Sequence, residues 1–178
     1  MSDYKLLVPT SGPATPARPI APRLAALSGT RAGFRQQWKQ FDKFVDRLSM
    51  LFTERYSPRS TARVDGTFST RQGPKLERWV KFQKDIDWAL LGLGTCWGTA
   101  PWTVYDAIDL EQQGIPTVSV ITDEFAGLAR AVATAKGYPD LNILVVPHFF
   151  ESMADEAVSD LADRHFAEVA GRIAQARP

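Results

Sequence analysis

The chain has 178 residues, 44% of them hydrophobic, which is enough for one domain with a full core and too apolar for wholesale disorder. No apolar run reaches the ~18 residues of a membrane span, and no charged-then-apolar leader opens the chain. A single cysteine, Cys96, excludes an internal disulfide and a multi-cysteine zinc site, so a cytoplasmic protein without membrane contact is expected.

The net charge of +1 hides an asymmetry. Residues 1–84 carry sixteen basic and six acidic side chains, and residues 85–178 carry five and fourteen. Three readings stand: two solvated faces, a subunit contact between oppositely charged surfaces, or a basic wall facing an anionic substrate. Nucleic acid is disfavoured, because the basic residues are scattered and the total is near zero.

In chain order, residues 9–23 hold five prolines, which forbid regular structure and predict an extended arm or lid within residues 1–30. Arg31–Arg35 is a short strand. Phe41, Phe44, Val45, Leu48, Leu51 and Phe52 form one helical stripe that ends at Ser57-Pro58. Thr61–Val64 is a weak strand, and Pro74–Phe82 a helix with proline in an allowed first-turn position. Trp88–Gly94 is a continuous apolar run of the buried-strand type. Ala100–Gln113 is helical and stops at Gly114. Pro116–Ile121 is a strand, Glu124–Lys136 a helix that stops at Gly137, and Leu141–Val146 the last strand. Met153–Ala176 is a long amphipathic helix. The alternation predicts a single α/β domain over residues 31–178, three-layered and Rossmann-like or flavodoxin-like, with a mostly parallel five-stranded sheet in the order 2-1-3-4-5. In that order ligands bind beyond the carboxyl ends of strands 1 and 3, where the loops are Gln36–Gln40 and Gly92–Thr99.

The second loop holds the cysteine. A buried strand runs through Gly92, Gly94, Cys96, Trp97 and Gly98 into a helix, with Thr99 as its expected N-cap and Pro101 in the first turn. A helix N-terminus favours an anion, so it lowers a thiol pKa, and its N–H groups can hold a carboxylate or oxyanion. A buried cysteine acting as a small hydrophobe is the alternative on these residues alone. The Gly92–Gly94 pair is a weak nucleotide signal, because the full dinucleotide fingerprint is missing.

Other residues gather around the same end of the expected sheet. Thr122, Asp123 and Glu124 follow strand 4, either as a helix cap and first turn or with Glu124 as general acid/base. His148 follows strand 5, either as a general acid/base candidate or as a hydrogen-bonded loop histidine. Trp97, Trp102 and Tyr105 either pack the helix or line an apolar pocket, and Asp106 is expected near the site or paired with an arginine. Arg35 and Lys39 flank Trp38 after strand 1 and either open an ordinary charged helix or bind a substrate carboxylate. No pair of ligands has the spacing of a metal site.

Four segments together carry a family resemblance: Gly94-Thr-Cys-Trp-Gly-Thr-Ala-Pro-Trp-Thr-Val-Tyr-Asp106, Glu111-Gln-Gln-Gly-Ile-Pro-Thr117, Thr122-Asp-Glu-Phe125 and Val146-Pro-His148. They resemble the UGSC family, named for a Sec/Cys-Gly-Ser-Cys motif. That family is distantly similar to the selenoprotein B subunits of the glycine, sarcosine and betaine reductases. The resemblance implies that Cys96 occupies the chalcogen position, with Trp97, Gly98 and Thr99 where the family has Gly, Ser and the second Cys. It also implies that Thr10 and Ser11 fold over the site.

With threonine at the resolving position, no intramolecular disulfide to Cys96 can form. The expected function is therefore cysteine-centred: thiolate attack on a small carboxylate-bearing molecule, by an oxidoreductase or lyase. Cys96, Glu124 and His148 would be catalytic. Gly94, Trp97, Gly98, Thr99, Trp102, Tyr105, Asp106, Thr122, Arg35, Trp38, Thr10 and Ser11 would bind substrate. No cofactor or metal is expected, only an external thiol or protein reductant, and the partners are a substrate and a homo-oligomer or hetero-subunit. The alternative is a non-catalytic binding or assembly subunit that keeps the family pocket.

Overall fold

Seven consecutive residues, Trp88–Gly94, are buried without exception. Only the centre of a sheet covered on both faces hides a strand so completely. In the computed structural model, which describes residues 15–66 and 74–175, this strand is β3 of a five-stranded sheet. The elements in chain order are β1 (Arg31–Gln36), α1 (Lys39–Tyr56), β2 (Ser60–Asp65), α2 (Pro74–Lys84), β3, α3 (Thr99–Glu111), β4 (Thr117–Thr122), α4 (Asp123–Ala135), β5 (Ile143–Val146) and α5 (Asp155–Ile173). A short 3-10 turn, His148–Ser152, links β5 to α5.

The strand order is β2-β1-β3-β4-β5 and every pairing is parallel. Alternating strands and helices leave no other economical path, because each crossover must return over one face of the sheet. The structure is thus the expected three-layer α/β fold, with the sheet parallel throughout. Element ends differ by a few residues: α1 begins at Lys39 instead of Phe41, and α5 spans Asp155–Ile173 instead of Met153–Ala176.

Each face of the sheet has its own core. On one, α1 and α5 cover Phe34, Leu90, Val118, Val120 and Leu144. The helical stripe read from the sequence is this contact: Phe41, Phe44, Val45, Leu48 and Phe52 are all buried in α1. Phe52 packs tilted against Trp88 at 4.8 Å and edge to face against Phe166 at 5.0 Å, joining helix, sheet and α5. On the other face, α2, α3 and α4 cover Ala89, Leu91, Ile121 and Ile143.

The charge asymmetry resolves within the chain. Lys43 and Arg47 of α1 pair with Asp155 and Asp163 of α5, at 3.3 and 2.8 Å. Arg31 pairs with Asp87 at 2.7 Å, and Arg35 with Asp106 at 3.0 Å. Four first-half cations thus pair with second-half acids inside the domain.

The described part of the arm, residues 15–30, runs across the N-terminal end of the sheet. Thr15 bonds to the carbonyl of Ala135, the Arg18 N–H to that of Gly137, and the Leu24 N–H to that of Ile173. The Ala21 N–H donates to the carboxylate of Glu111, which also accepts from the Thr117 N–H and hydroxyl. All these partners lie at helix C-termini or just beyond them, the end opposite Cys96. Thr10 and Ser11 lie outside the described residues.

Candidate functional site

Cys96 follows β3 at the carboxyl end of the sheet, beside the loop that follows β1. Gln37 ties the two loops together: its N–H reaches the carbonyl of Gly92 at 3.1 Å and its side-chain amide that of Leu93 at 3.0 Å. This is the switch point expected for the strand order. A shallow depression of about 420 Å³ lies there, lined by Trp38, Lys39, Gln40, Thr95, Cys96 and Glu151. A second, of about 450 Å³, shares Trp38 and Lys39 and adds Gln36, Gln37, Asp42, Asp65 and Gly66. Trp38 stands between them, half-exposed, with φ of 75°, a backbone region that a bulky residue adopts only when its surroundings impose it.

The approach of α3 to the strand depends on Gly94. A Cβ there would lie 2.3 Å from Ile121 Cδ1 and 2.9 Å from Ala100 Cα. Only glycine lets the first turn of α3 close onto β3 and β4, and this closure delivers Thr99 to Cys96. Thr99 was expected as the N-cap, but it is the first residue inside α3, after Gly98. Its hydroxyl turns back to accept from the N–H groups of Thr95 and Cys96, at 2.9 and 3.1 Å. The Cys96 sulfur lies 3.2 Å from that hydroxyl and accepts from the Thr99 N–H at 3.3 Å. Burial of the sulfur pushes its pKa up, but the Thr99 hydroxyl and the N–H groups of Thr99 and Gly98 outweigh it. The thiol is held below its ordinary value despite the opposing charge of Glu151.

His148 opens the 3-10 turn after β5, and its Nδ1 lies 3.3 Å from the hydroxyl of Thr122. Thr122 does not cap α4 through its side chain; its hydroxyl donates instead to the carbonyl of Gly94, at 3.4 Å. One polar chain therefore links His148 through Thr122 to the strand end that carries Cys96. Aromatic contacts run parallel to it, from Trp97 to Phe125 at 5.7 Å and from Phe125 to His148 at 5.7 Å. Trp97 and Phe149 are each 77% exposed, so large apolar rings stand in solvent at this end of the sheet.

Other expected residues lie elsewhere. Arg35 was expected at a substrate carboxylate, but it is wholly buried. Its Nε donates to Asp106 at 3.0 Å and its Nη1 to the carbonyl of Gly92 at 3.2 Å. Its Nη2 lies 3.0 Å from the same carboxylate oxygen but without hydrogen-bond alignment. Burial lowers the Arg35 pKa, and Asp106 supplies the counter-charge that keeps a guanidinium tolerable there. Asp106 is thus paired with an arginine below the site. Glu124 is exposed in the first turn of α4, and among the described residues no hydrogen bond or ion pair joins it to Cys96. Trp102 and Tyr105 pack edge to face at 5.7 Å, with Lys136 over the Tyr105 ring, and neither lines the depression.

Sequence reasoning missed Thr95, Gln40 and Glu151. Their signal was positional: Gln40, now in the first turn of α1, and Thr95 fall within the two loops expected at the switch point, and Glu151 lies in the 3-10 turn after β5. Among the described residues no group of three His, Cys, Asp or Glu comes together as a metal site, and no helix is long and apolar enough to cross a membrane.

Among curated proteins none matches this chain. The model of the UGSC family matches it over residues 5–175, nearly its whole length. A match of that extent covers every element that builds the Cys96 loop and its surroundings, and the chain belongs to the UGSC family.

Proposed function

We propose that Cys96 is the nucleophile of a thiol-dependent enzyme acting on a small, carboxylate-bearing molecule. One observation carries this reading: a half-buried thiol at the edge of an open depression, with the Thr99 hydroxyl and N–H directed at its sulfur. Structural cysteines are enclosed by apolar groups, which raise the thiol pKa, whereas here the neighbours lower it. The resemblance read from the sequence to the selenoprotein B subunits is what points this reading toward reductive or C–heteroatom bond-cleaving chemistry.

In this reading the thiolate attacks a substrate carbon and forms a C–S bond as the C–heteroatom bond breaks. The leaving group departs with the bonding pair and takes a proton from His148, oriented by Thr122. Lys39, which lines the depression, faces the substrate carboxylate. An external thiol then frees Cys96. Its attack at the carbon transfers the group with no net redox change. Its attack at sulfur releases the group as a carbanion, which takes a proton, and a second thiol completes the reduction while the two external thiols become a disulfide.

A second reading, a non-catalytic binding or assembly subunit, is favoured by Thr99 at the resolving position. The two separate by experiment. The first requires iodoacetamide to modify Cys96 at neutral pH faster than a free thiol, and adducts on Cys96 to appear by mass spectrometry after incubation with candidate substrates. A Cys96→Ser variant with full cellular function sinks it and supports the second.

A further inference from the structure

Glu151 borders the depression beside Cys96, yet nothing in the chemistry proposed for the sulfur uses it. Its position is fixed from both sides. The preceding residue, Phe150, is wholly buried and packs on α1, 6.2 Å from the Phe41 ring and 5.7 Å from that of Phe44. The side chain of Gln40, in the first turn of α1, donates to the carbonyl of Met153 and to Asp155, the latter at 3.3 Å. The 3-10 turn therefore holds Glu151 at the rim of the depression.

A carboxylate in that place works against the sulfur. Burial aside, it is the Glu151 charge that opposes ionisation of the Cys96 thiol. A rim built only to activate a thiolate would carry a cation there. Of the six residues that line the depression, Lys39 is the only cation. Its charge also falls on Asp155, whose carboxyl is held below its ordinary value by bonds from Lys43 and Gln40 and by the charges of both lysines. A cation that approaches the sulfur is therefore attracted by Glu151, and by the indole of Trp38, half-exposed on the same depression. An anion on the same path meets repulsion from Glu151.

We propose that Glu151 is a specificity-determining residue, which admits molecules with a cationic group to the Cys96 sulfur ahead of anionic ones. This role rests on the nucleophilic reading of Cys96 and narrows it. A carboxylate on the substrate is accommodated where it reaches Lys39, but net negative charge beside the sulfur is not. The cation belongs to the substrate alone or also to the external thiol that frees Cys96, and the two cases separate by experiment.

Cys96 is the single cysteine, so a thiol reagent reports on it alone. The full chain is treated at neutral pH with two methanethiosulfonates of similar size, one bearing trimethylammonium and one bearing sulfonate. Both consume the same thiolate, so the ratio of their rates does not depend on the thiol pKa. Relative to the small thiol N-acetylcysteinamide, that ratio should favour the cation roughly fivefold or more at low salt, and the preference should fade at about 1 M salt. Glu151→Gln should remove most of it. Asp140→Asn makes the same charge change at an exposed acid before β5, at the opposite end of the sheet, and should keep it. Neutral methyl methanethiosulfonate should react with the Glu151 variant no more slowly than with the wild type.

A second series frees the methyl mixed disulfide of Cys96 with cysteamine or with 3-mercaptopropionate, again relative to N-acetylcysteinamide. A cation preference here too extends the selection to the thiol, and a preference confined to the first series assigns it to the substrate. A wild-type ratio equal to that of the small thiol overturns the proposal, as does equal loss of preference in Asp140→Asn. A fall of roughly tenfold or more in the neutral rate of Glu151→Gln overturns it in favour of a general base. If the neutral reagent leaves Cys96 unmodified, the nucleophilic reading itself fails, and this role with it.

Discussion

Thr99 is the residue on which the cysteine site turns. At the position where the motif resemblance implies a second cysteine, this chain carries a hydroxyl that still reaches the sulfur, at 3.2 Å. The contact cannot become a covalent bond, but it steadies a negative charge. Thr99→Ala should therefore raise the Cys96 pKa toward the ordinary thiol range, and alkylation at pH 7 should slow while the rate at high pH stays near that of the wild type. A rate–pH profile measures this, and an unshifted midpoint would refute the role given to the hydroxyl. Arg35 and Asp106 give a second residue-level expectation. Asp106→Asn leaves a buried guanidinium without its counter-charge and should cost about 3–5 kcal/mol in urea unfolding, whereas replacing both by apolar residues of similar volume should cost much less. From sequence Arg35 looked like substrate chemistry, and Asp106 was expected near the site or paired with an arginine. Only side-chain packing shows that the two charges satisfy each other.

Elements meet at points where a single atom decides the fit. At Gly94 the first turn of α3 lies so close to β3 that no Cβ can be inserted without moving Ala100 or Ile121. Gly94→Val should destabilise by about 1–3 kcal/mol by overpacking. It should also slow Cys96 alkylation, because the displaced helix carries Thr99 away. Thermal unfolding and labelling on the same sample check both. Between α1 and α5 the ranking reverses the impression that charge patterning gives. Phe52→Ala empties a site shared with Trp88 and Phe166 and should cost about 3–5 kcal/mol. Removing the exposed Lys43–Asp155 pair by Lys43→Ala should cost no more than about 1 kcal/mol. The helical stripe was legible in sequence because burial imposes periodicity. The pairing of the two helices was not, since it depends on which strand each follows.

At the scale of the molecule, the two ends of the sheet do different work. The cysteine loop occupies the carboxyl end, and the arm straps the opposite end through Glu111. Burial raises the Glu111 pKa against the bonds from Thr117 and Ala21 that lower it. A carboxyl whose folded pKa exceeds its unfolded value favours the folded state fully below the unfolded pKa, and that contribution is lost as pH rises through the folded one. The stability of the wild type relative to Glu111→Gln should therefore fall as pH rises from about the ordinary carboxyl value of Glu, read by denaturant titrations in a pH series. A flat difference would mean that Glu111 titrates alike in both states. The sequence by itself determined the alternation of strands and helices, a mostly parallel sheet and the position of Cys96 beyond a buried strand, while the strand order that suited this spacing was decided by the pairings in the sheet. The first three follow from local periodicity and from the single hand of the crossovers, both of which act over short stretches of chain. Only the tertiary structure decided that Arg35 is spent on Asp106, that Thr99 faces the sulfur instead of capping its helix, and that Glu151 from a distant loop borders the same depression. Those are distances between side chains remote in sequence or turned by packing, and no spacing rule along a chain contains them.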